Sequence, residues 1–260
     1  MLEATGLGAK LGGRWVFEGV DFAARPGEIT AIVGPNGSGK TTLLRRLTGD
    51  LPGPGTITFE GDALSRLAPH QLAQRRAVLP QATAVGFPFT LREVVAMGHQ
   101  AGAAAHLPGV VEDALAEVDL RAKADQPFQR LSGGEQARGH LARVRAQVWA
   151  PKDAEGRPAW LFVDEPVAAL DIGHQLQVMG VLRRFAKAGG GVIAVMHDLN
   201  LTAMNAARMV LMEAGRITAA GRPSEVMTAP ILSRAYRCQL CLNTAPNEGI
   251  WLLPQAASAL

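Results

Sequence analysis

The sequence predicts an α/β fold built around a parallel sheet, and three observations carry that prediction. A glycine-rich segment, Gly34-Pro35-Asn36-Gly37-Ser38-Gly39-Lys40-Thr41-Thr42, follows directly on the apolar run Ile29-Thr30-Ala31-Ile32-Val33. Two more short apolar runs, Trp160-Leu161-Phe162-Val163 and Val192-Ile193-Ala194-Val195-Met196, have the length expected of strands covered on both faces. Between the first run and these two lies a stretch rich in Ala, Leu and Val, about residues 82–150, that reads mostly helical.

Taken in order, the first sixty residues carry short strands. These are Trp15-Val16-Phe17, the run 29–33 and Thr56-Ile57-Thr58-Phe59-Glu60, punctuated by Arg25-Pro26-Gly27 and Leu51-Pro52-Gly53-Pro54-Gly55. A helix opens at Lys40 and runs to about Gly49, with Leu43, Leu44 and Leu47 on one face. Within the helical stretch the clearest helices span 90–98, 109–118 and 132–148. Residues 149–157 are polar and contain proline, which predicts an exposed loop. Met209-Val210-Leu211-Met212, the turn Glu213-Ala214-Gly215 and Arg216-Ile217-Thr218 predict a hairpin. No internal repeat is visible.

Composition excludes several classes. At 260 residues, 48% of them hydrophobic and 19% charged, the chain suits one large domain or two small ones with a substantial core. A formal charge of +3 without a block of like charges leaves little electrostatic footprint for nucleic acid. Two cysteines cannot form a multi-bridge framework, so a reducing compartment is expected. No run reaches the roughly 18–20 apolar residues that span a bilayer, and the first residues lack the pattern of a signal peptide, so a membrane role is expected only through a partner.

The chemistry lies where these elements end. Gly-x-x-x-x-Gly-Lys-Thr between a strand and a helix is the arrangement that cradles a nucleotide triphosphate. Glycines let backbone N–H groups close on the phosphates at the positive end of the helix, Lys40 supplies a mobile charge, and the Thr41 hydroxyl can hold Mg²⁺. The run 160–163 ends in Asp164-Glu165, one carboxylate placed to hold Mg²⁺ and the next to polarise the attacking water. The run 192–196 ends in His197-Asp198, and a histidine at that sheet edge can reach a γ-phosphate. Leu131-Ser132-Gly133-Gly134-Glu135-Gln136 contains the capping box Ser132-x-x-Glu135 before a helix. Glycines at the first two helical positions cost stability yet expose N–H groups, making a second anion site. One nucleotide seldom needs two such sites from one chain.

Together these residues resemble the nucleotide-binding subunit of ATP-binding cassette (ABC) transporters. Residues 34–42 match the Walker A motif, 160–165 the Walker B motif and 131–136 the signature. Gln81 in Val78-Leu79-Pro80-Gln81 fits the Q-loop, Ala169-Leu170-Asp171 the D-loop, and His197 the switch histidine. The resemblance implies a RecA-like phosphate-loop NTPase core, an N-terminal antiparallel β subdomain and a helical signature subdomain. It places the ATPase domain at 1–225 and a C-terminal extension, packed on the same domain, at 226–260. It further implies that Lys40, Thr41, Gln81 and Asp164 handle the phosphates and Mg²⁺, that Glu165 is the catalytic base and that His197 senses the γ-phosphate. Two copies then pair head to tail, each ATP lying between one chain's residues 34–42 and the other's 131–136, with Asp171 at the contact.

Phe87-Pro88-Phe89-Thr90-Leu91-Arg92-Glu93-Val94-Val95-Ala96-Met97-Gly98 and His197-Asp198-Leu199-Asn200-Leu201 look like the importers of iron–siderophore, vitamin B12 and haem. Phe-Pro-Phe-Thr, Val-Val-Ala-Met-Gly and the widened stretch 147–159 are most similar to haem (hemin) import ATPases. Such a subunit sits peripherally on the cytoplasmic face of the inner membrane. It works with two copies of an integral permease and, indirectly, a periplasmic substrate-binding protein, without itself binding haem or nucleic acid. Import of siderophore or B12 stays open at this point. So does a soluble ABC protein acting on nucleic acid or ribosomes, although such proteins usually fuse two cassettes or insert a coiled coil.

Three positions depart from the family pattern. Leu11 stands where an aromatic residue usually stacks on adenine, so either Trp15 substitutes or the base is held by apolar contact alone. Val167-Ala168-Ala169 lacks the hydroxyl residues common before the D-loop aspartate. Gly139 inside the signature helix costs about 1 kcal/mol relative to alanine. Cys238-x-x-Cys241 has no second ligand pair nearby, His99 and His106 have no matched metal partners, and Trp149 and Trp160 are expected to pack.

Overall fold

The apolar runs are strands with a separate core to fill on each face. In the computed structural model, which describes residues 1–81, 86–244 and 248–250, the chain opens with β1 (Leu2–Leu11), β2 (Arg14–Ala24), β3 (Ile29–Val33), α1 (Lys40–Thr48), β4 (Thr56–Phe59) and β5 (Asp62–Ala63). Next come α2 (Pro69–Arg75), β6 (Arg76–Leu79), α3 (Leu91–Ala101), α4 (Val110–Glu117), α5 (Gly133–Gln147), β7 (Trp160–Asp164) and α6 (Ile172–Lys187). The chain continues through β8 (Gly191–Val195), α7 (Leu199–Asn205), β9 (Arg208–Glu213), β10 (Arg216–Gly221), α8 (Pro223–Val226) and α9 (Ala229–Tyr236).

Six strands in the order β10-β9-β3-β8-β7-β6 form the central sheet, parallel except for the last strand of the β9–β10 hairpin. Four strands in the order β2-β1-β4-β5 form a separate antiparallel sheet. Every residue of β3, β7 and β8 is buried. Along β7, Trp160 and Phe162 enter one core with Leu43, Leu44 and Leu47 of α1 and Phe59 of the antiparallel sheet. Leu161 and Val163 enter the other, with α3, α4, α5 and α6. Period-two alternation between two apolar cores is why these strands read as unbroken hydrophobic runs. Trp160 stacks on Phe59 with centroids 6.3 Å apart, and Arg145 lies over Trp149, so both tryptophans pack as expected.

Strand β2, at eleven residues, is longer than the Trp15-Val16-Phe17 of the sequence reading, and the ten-residue β1 is absent from that reading altogether. Register shifts along the β1–β2 pair break the alternation that would have announced these strands. Strand β6 and helix α2 were also not foreseen. The helices of the second region are close to expectation. Thr90 caps α3 and Ser132 caps α5, each paired with a glutamate three residues on. Residues 82–85 of the expected helical stretch, and 245–247 and 251–260 of the C-terminal extension, lie outside the described residues. The described part of that extension puts Val226, Leu232 and Ala235 among buried residues.

Glycines set how closely α3 and α5 approach. A Cβ on Gly98 would sit 2.1 Å from the Arg143 carbonyl oxygen, and one on Gly102 1.9 Å from that of Gln147. Gly139, costly by propensity, is accounted for in the same way: its Cβ would meet Leu91 and Phe128 at 2.8 and 3.0 Å. Helix α5 thereby lies flat against α3, which presents its N-terminal turn at a fixed angle. Replacing Gly98 by alanine therefore forces backbone apart, and a loss of about 1–3 kcal/mol is expected. Thermal unfolding of the purified chain measures it; a melting temperature unchanged from wild type would contradict this packing.

Candidate functional site

The loop 34–39 leaves β3 at its C-terminal end and turns directly into α1. Gly34 has φ of 145°, and a Cβ there would lie 2.0 Å from the Met212 carbonyl oxygen, so only glycine fits against β9. Gly37 and Gly39 also have positive φ, 74° and 103°. Gly39 occupies the N-cap of α1 and offers no side chain, so the first amides of the helix are left for a ligand. Lys40 Nζ donates to the carbonyl oxygens of Gly34 (2.9 Å) and Pro35 (3.0 Å), curling the loop around its own ammonium. From outside, the Gly215 amide in the β9–β10 turn donates to the Ser38 carbonyl at 3.0 Å.

Thr41 Oγ1 donates to Asp164 Oδ1 at 3.2 Å, across the intervening strand β8. Asp164 is 3% exposed. Burial pushes its pKa up, the Thr41 hydrogen bond opposes that shift, and the neighbouring Glu165 charge adds to it. Burial lowers the pKa of Lys40, against the pull of Glu165 and Asp164. Thr41, Asp164 and Gln81 share one cavity of about 290 Å³ with Val78 and Pro80. Gln81 follows β6, which pairs with β7, so the sheet delivers it beside Asp164. A hydroxyl, a carboxylate and an amide oxygen are hard donors of the kind Mg²⁺ takes when phosphate and water complete its shell, and a carboxylate kept out of water favours a cation. The residues present fit that ion.

Glu165 adopts φ of 52°, unusual for a side chain of its size. Its amide still donates to Val195 at 3.1 Å, continuing the β7–β8 ladder, and the left-handed turn swings the carboxylate towards His197. His197 Nε2 and Glu165 Oε1 are 2.5 Å apart, joining the ends of two neighbouring strands.

The segment 131–136 stands elsewhere. Leu131 is buried; Ser132 Oγ accepts from the Glu135 amide at 3.3 Å, and Glu135 Oε2 accepts from the Ser132 amide at 3.0 Å. Lys123 pairs with Glu135 and, with the Ser132 amide, holds its carboxyl below the ordinary value. Gln136 turns inward, donating to the carbonyls of Leu131 (3.0 Å) and Phe128 (3.3 Å). Gly133 is exposed with open space around it, and Gly134 faces Leu170 and the Ala169 carbonyl. Among the described residues no hydrogen bond joins this turn to residues 34–42. Asp171 caps α6, accepting from the His174 amide at 2.9 Å.

Trp15 lies over Gly8 with Lys10 Nζ 4.2 Å from its ring, whereas Val16 and Phe17 are the β2 side chains beside Gly39. Leu11 and Trp15 are equally exposed, 45% each, at this end of the β1–β2 pair. Cys238 and Cys241 are free and exposed, and the described residues contain no cluster of three or more metal-ligating side chains. His99 Nε2 is occupied by the Ala104 carbonyl at 2.7 Å. Absent from the sequence reading are the roles of Met212 and Gly215 as supports of the loop, and the place of the C-terminal Tyr236 in a cavity beside it. A hairpin turn and a lone tyrosine two hundred residues along carry no motif that points to a phosphate site.

Comparison with known proteins places these motifs in one family. A family model described as ABC transporter matches residues 17–168. The chain is 52% identical to the hemin import ATP-binding protein HmuV of Roseobacter denitrificans over 260 residues, covering 100% of this chain and 99% of that protein. It is 53% identical to the protein of the same name from Jannaschia sp. over 258 residues, covering 99% and 95%. Among solved structures, the ATP-binding subunit of an ABC transporter superposes with a TM-score of 0.76 at 20% identity, covering 92% of this chain and 94% of that one. A nucleotide-free ATP-binding cassette gives 0.72 at 21%, covering 91% and 95%. These two likenesses bear on the fold, which is the RecA-like one with its β and helical subdomains.

The electrostatics of Asp164 have a measurable consequence in the nucleotide-free chain. Its folded pKa lies above the ordinary 3.8, so the fold carries a penalty that is absent below that pH and fully present above the raised value. Asp164→Asn is expected to raise the melting temperature at neutral pH, because the amide carries no charge to desolvate. The gain should vanish on acidification towards pH 3.8. Thermal melts across that range test it, and a destabilised variant at neutral pH would overturn the assignment.

Proposed function

The chain belongs to the ABC transporter family as an ATP-binding, ATP-hydrolysing subunit, and on that premise we propose that it homodimerises around two ATP molecules to power haem uptake through a membrane permease. The observation carrying the dimer is the separation just described: one chain holds a phosphate loop and an exposed, glycine-faced helix N-terminus with no bond between them. In this reading the Ser132-Gly133-Gly134 turn of one copy closes on the nucleotide held by residues 34–42 of the other. Leu131, Glu135 and Gln136 shape that turn, and Asp171 lies at the seam.

Lys40, with two of its three N–H donors on the Gly34 and Pro35 carbonyls, offers its charge and remaining donor to the β/γ-phosphates. Pro35, Asn36, Gly37, Ser38 and Gly39 wrap those phosphates, and Thr42 continues the first helical turn. Thr41, Asp164 and Gln81 would hold Mg²⁺, which when bound supplies charge neutralisation at the phosphate oxygens. Glu165, pointed by its left-handed backbone, takes the proton of the attacking water, while His197 orients that carboxylate and reaches the γ-phosphate. Closure on ATP and opening after product release then drive the permease.

Haem as cargo is supported by the hemin-import names of relatives about half identical over nearly the whole chain. The docking place proposed for the permease is 87–98, where Phe87 is 69% and Met97 44% exposed although α3 behind them is packed. No helix among the described residues is long and apolar enough to cross a membrane, which fits peripheral attachment through the permease at the cytoplasmic face.

Two measurements test the reading. Glu165→Gln should keep Mg·ATP binding while steady-state hydrolysis falls by about 10²- to 10⁴-fold; turnover near wild type would remove Glu165 as the base. In the assembled transporter, haem-loaded carrier protein should stimulate ATPase activity. Stimulation by a siderophore or B12 carrier instead would reassign the cargo and leave the ATPase intact.

A further inference from the structure

Two loops of this chain are built to one pattern. Before α5, the Leu131 amide donates to the Phe128 carbonyl at 3.2 Å, and Ser132 caps the helix. Gln136 Nε2 then donates back to the carbonyls of Leu131 (3.0 Å) and Phe128 (3.3 Å). Before α6, the Leu170 amide donates to the Val167 carbonyl, also at 3.2 Å, and Asp171 caps the helix. Gln175 Nε2 donates back to the carbonyls of Leu170 (3.0 Å) and Val167 (3.4 Å). In both, a glutamine four residues after the cap reaches the residues one and four before it. A primary amide carries two N–H donors, so one side chain can tie two carbonyls of the incoming loop to the helix it belongs to.

The second loop needs such a tie. It runs from Glu165 to Asp171, and its Val167-Ala168-Ala169 offers no hydroxyl to bond the backbone from within. The Ala168 amide closes the first turn on the Glu165 carbonyl at 3.2 Å. Glu165 itself stands at a φ of 52°, a conformation that persists only where the surroundings impose it. At the other end, a Cβ on Gly134 would meet Leu170 at 3.4 Å and the Ala169 carbonyl oxygen at 3.5 Å. One short loop thus leads out of the Glu165 backbone and lies against the Ser132-Gly133-Gly134 turn, so a shift in it is felt at both.

We propose that Gln175 is a positioning residue for ATP hydrolysis: by tying the Val167 and Leu170 carbonyls to α6, it holds the backbone that aims Glu165 and backs the Ser132-Gly133-Gly134 turn. Gln175 acts through that loop and not on the nucleotide. Its role rests on Glu165 being the base.

Gln175→Met keeps the length of the side chain and removes both donors. Gln175→Glu keeps the shape and sets a carboxylate against two carbonyl oxygens. Full-length chains are compared in steady-state Mg·ATP hydrolysis, in isothermal titration with Mg·ADP and in thermal melts. For Gln175→Met, kcat is expected to fall about three- to tenfold, the range that one net hydrogen bond commands. Gln175→Glu should fall further, and both variants should bind Mg·ADP as wild type does, because residues 34–42 are untouched. A merely structural role gives the other split, a lower melting temperature in both variants with kcat unchanged below the melt, and that result overturns the proposal. So does a wild-type kcat with unchanged melts. Glu165→Gln, measured alongside, keeps the two readings apart. If it hydrolyses ATP near the wild-type rate, the base assignment fails and the role of Gln175 with it. An inactive Glu165→Gln beside a fully active Gln175→Met removes the role of Gln175 alone.

Discussion

The contact between Thr41 and Asp164 is the join on which the nucleotide site depends. Thr41 sits on the first turn of α1 and Asp164 at the end of β7, with β8 lying between β3 and β7 in the sheet. A carboxylate can stand at 3% exposure only if something repays its lost hydration, and in the nucleotide-free chain one hydroxyl and a nearby ammonium do so incompletely. That shortfall is the electrostatic reason these residues suit a cation. It exists because a sheet covered on both faces leaves polar groups only at its strand ends, and four parallel strands end together there.

Stiffness around that join comes from places distant in sequence. The β9–β10 turn bonds to the Ser38 carbonyl and the Met212 backbone presses on Gly34. On the far side of α1, Arg46, 5% exposed, donates to the carbonyls of Gly8, Leu51, Gly53 and Pro54. Helix α1, whose first amides are left without a side-chain cap, is thereby fastened at its C-terminal turn to the antiparallel sheet. The helical layer is treated differently: it is packed internally through Gly98, Gly102 and Gly139, so α3 and α5 form a plate that carries the Ser132 turn as one piece.

Much of this was legible in the residues because the physics is local. A strand of five apolar residues followed by six loop residues and Lys-Thr can be read without a partner, and the Thr90 and Ser132 capping boxes announce their helices within four residues. Strands β1 and β2 were not legible to the same degree, since register shifts scramble the alternation that marks a half-exposed strand. The question of Trp15 against plain apolar contact could not be decided from type and spacing either. Which face of β2 each side chain occupies depends on the register shift between Ala9 and Lys10, which changes that face midway.

The sequence by itself determined the fold class, the ends of the strands that carry chemistry, and the identity of the groups placed there, because each of these follows from short-range pattern. Only the tertiary structure decided how those groups meet: that Glu165 and His197 touch across neighbouring strands, that Asp164 faces Thr41 over an intervening one, and that Tyr236 shares a cavity with Pro35, Gly37 and Ser38. Strand order and helix docking set those distances. Both are fixed by burying two apolar faces at once, a requirement of the whole chain that no window of it contains.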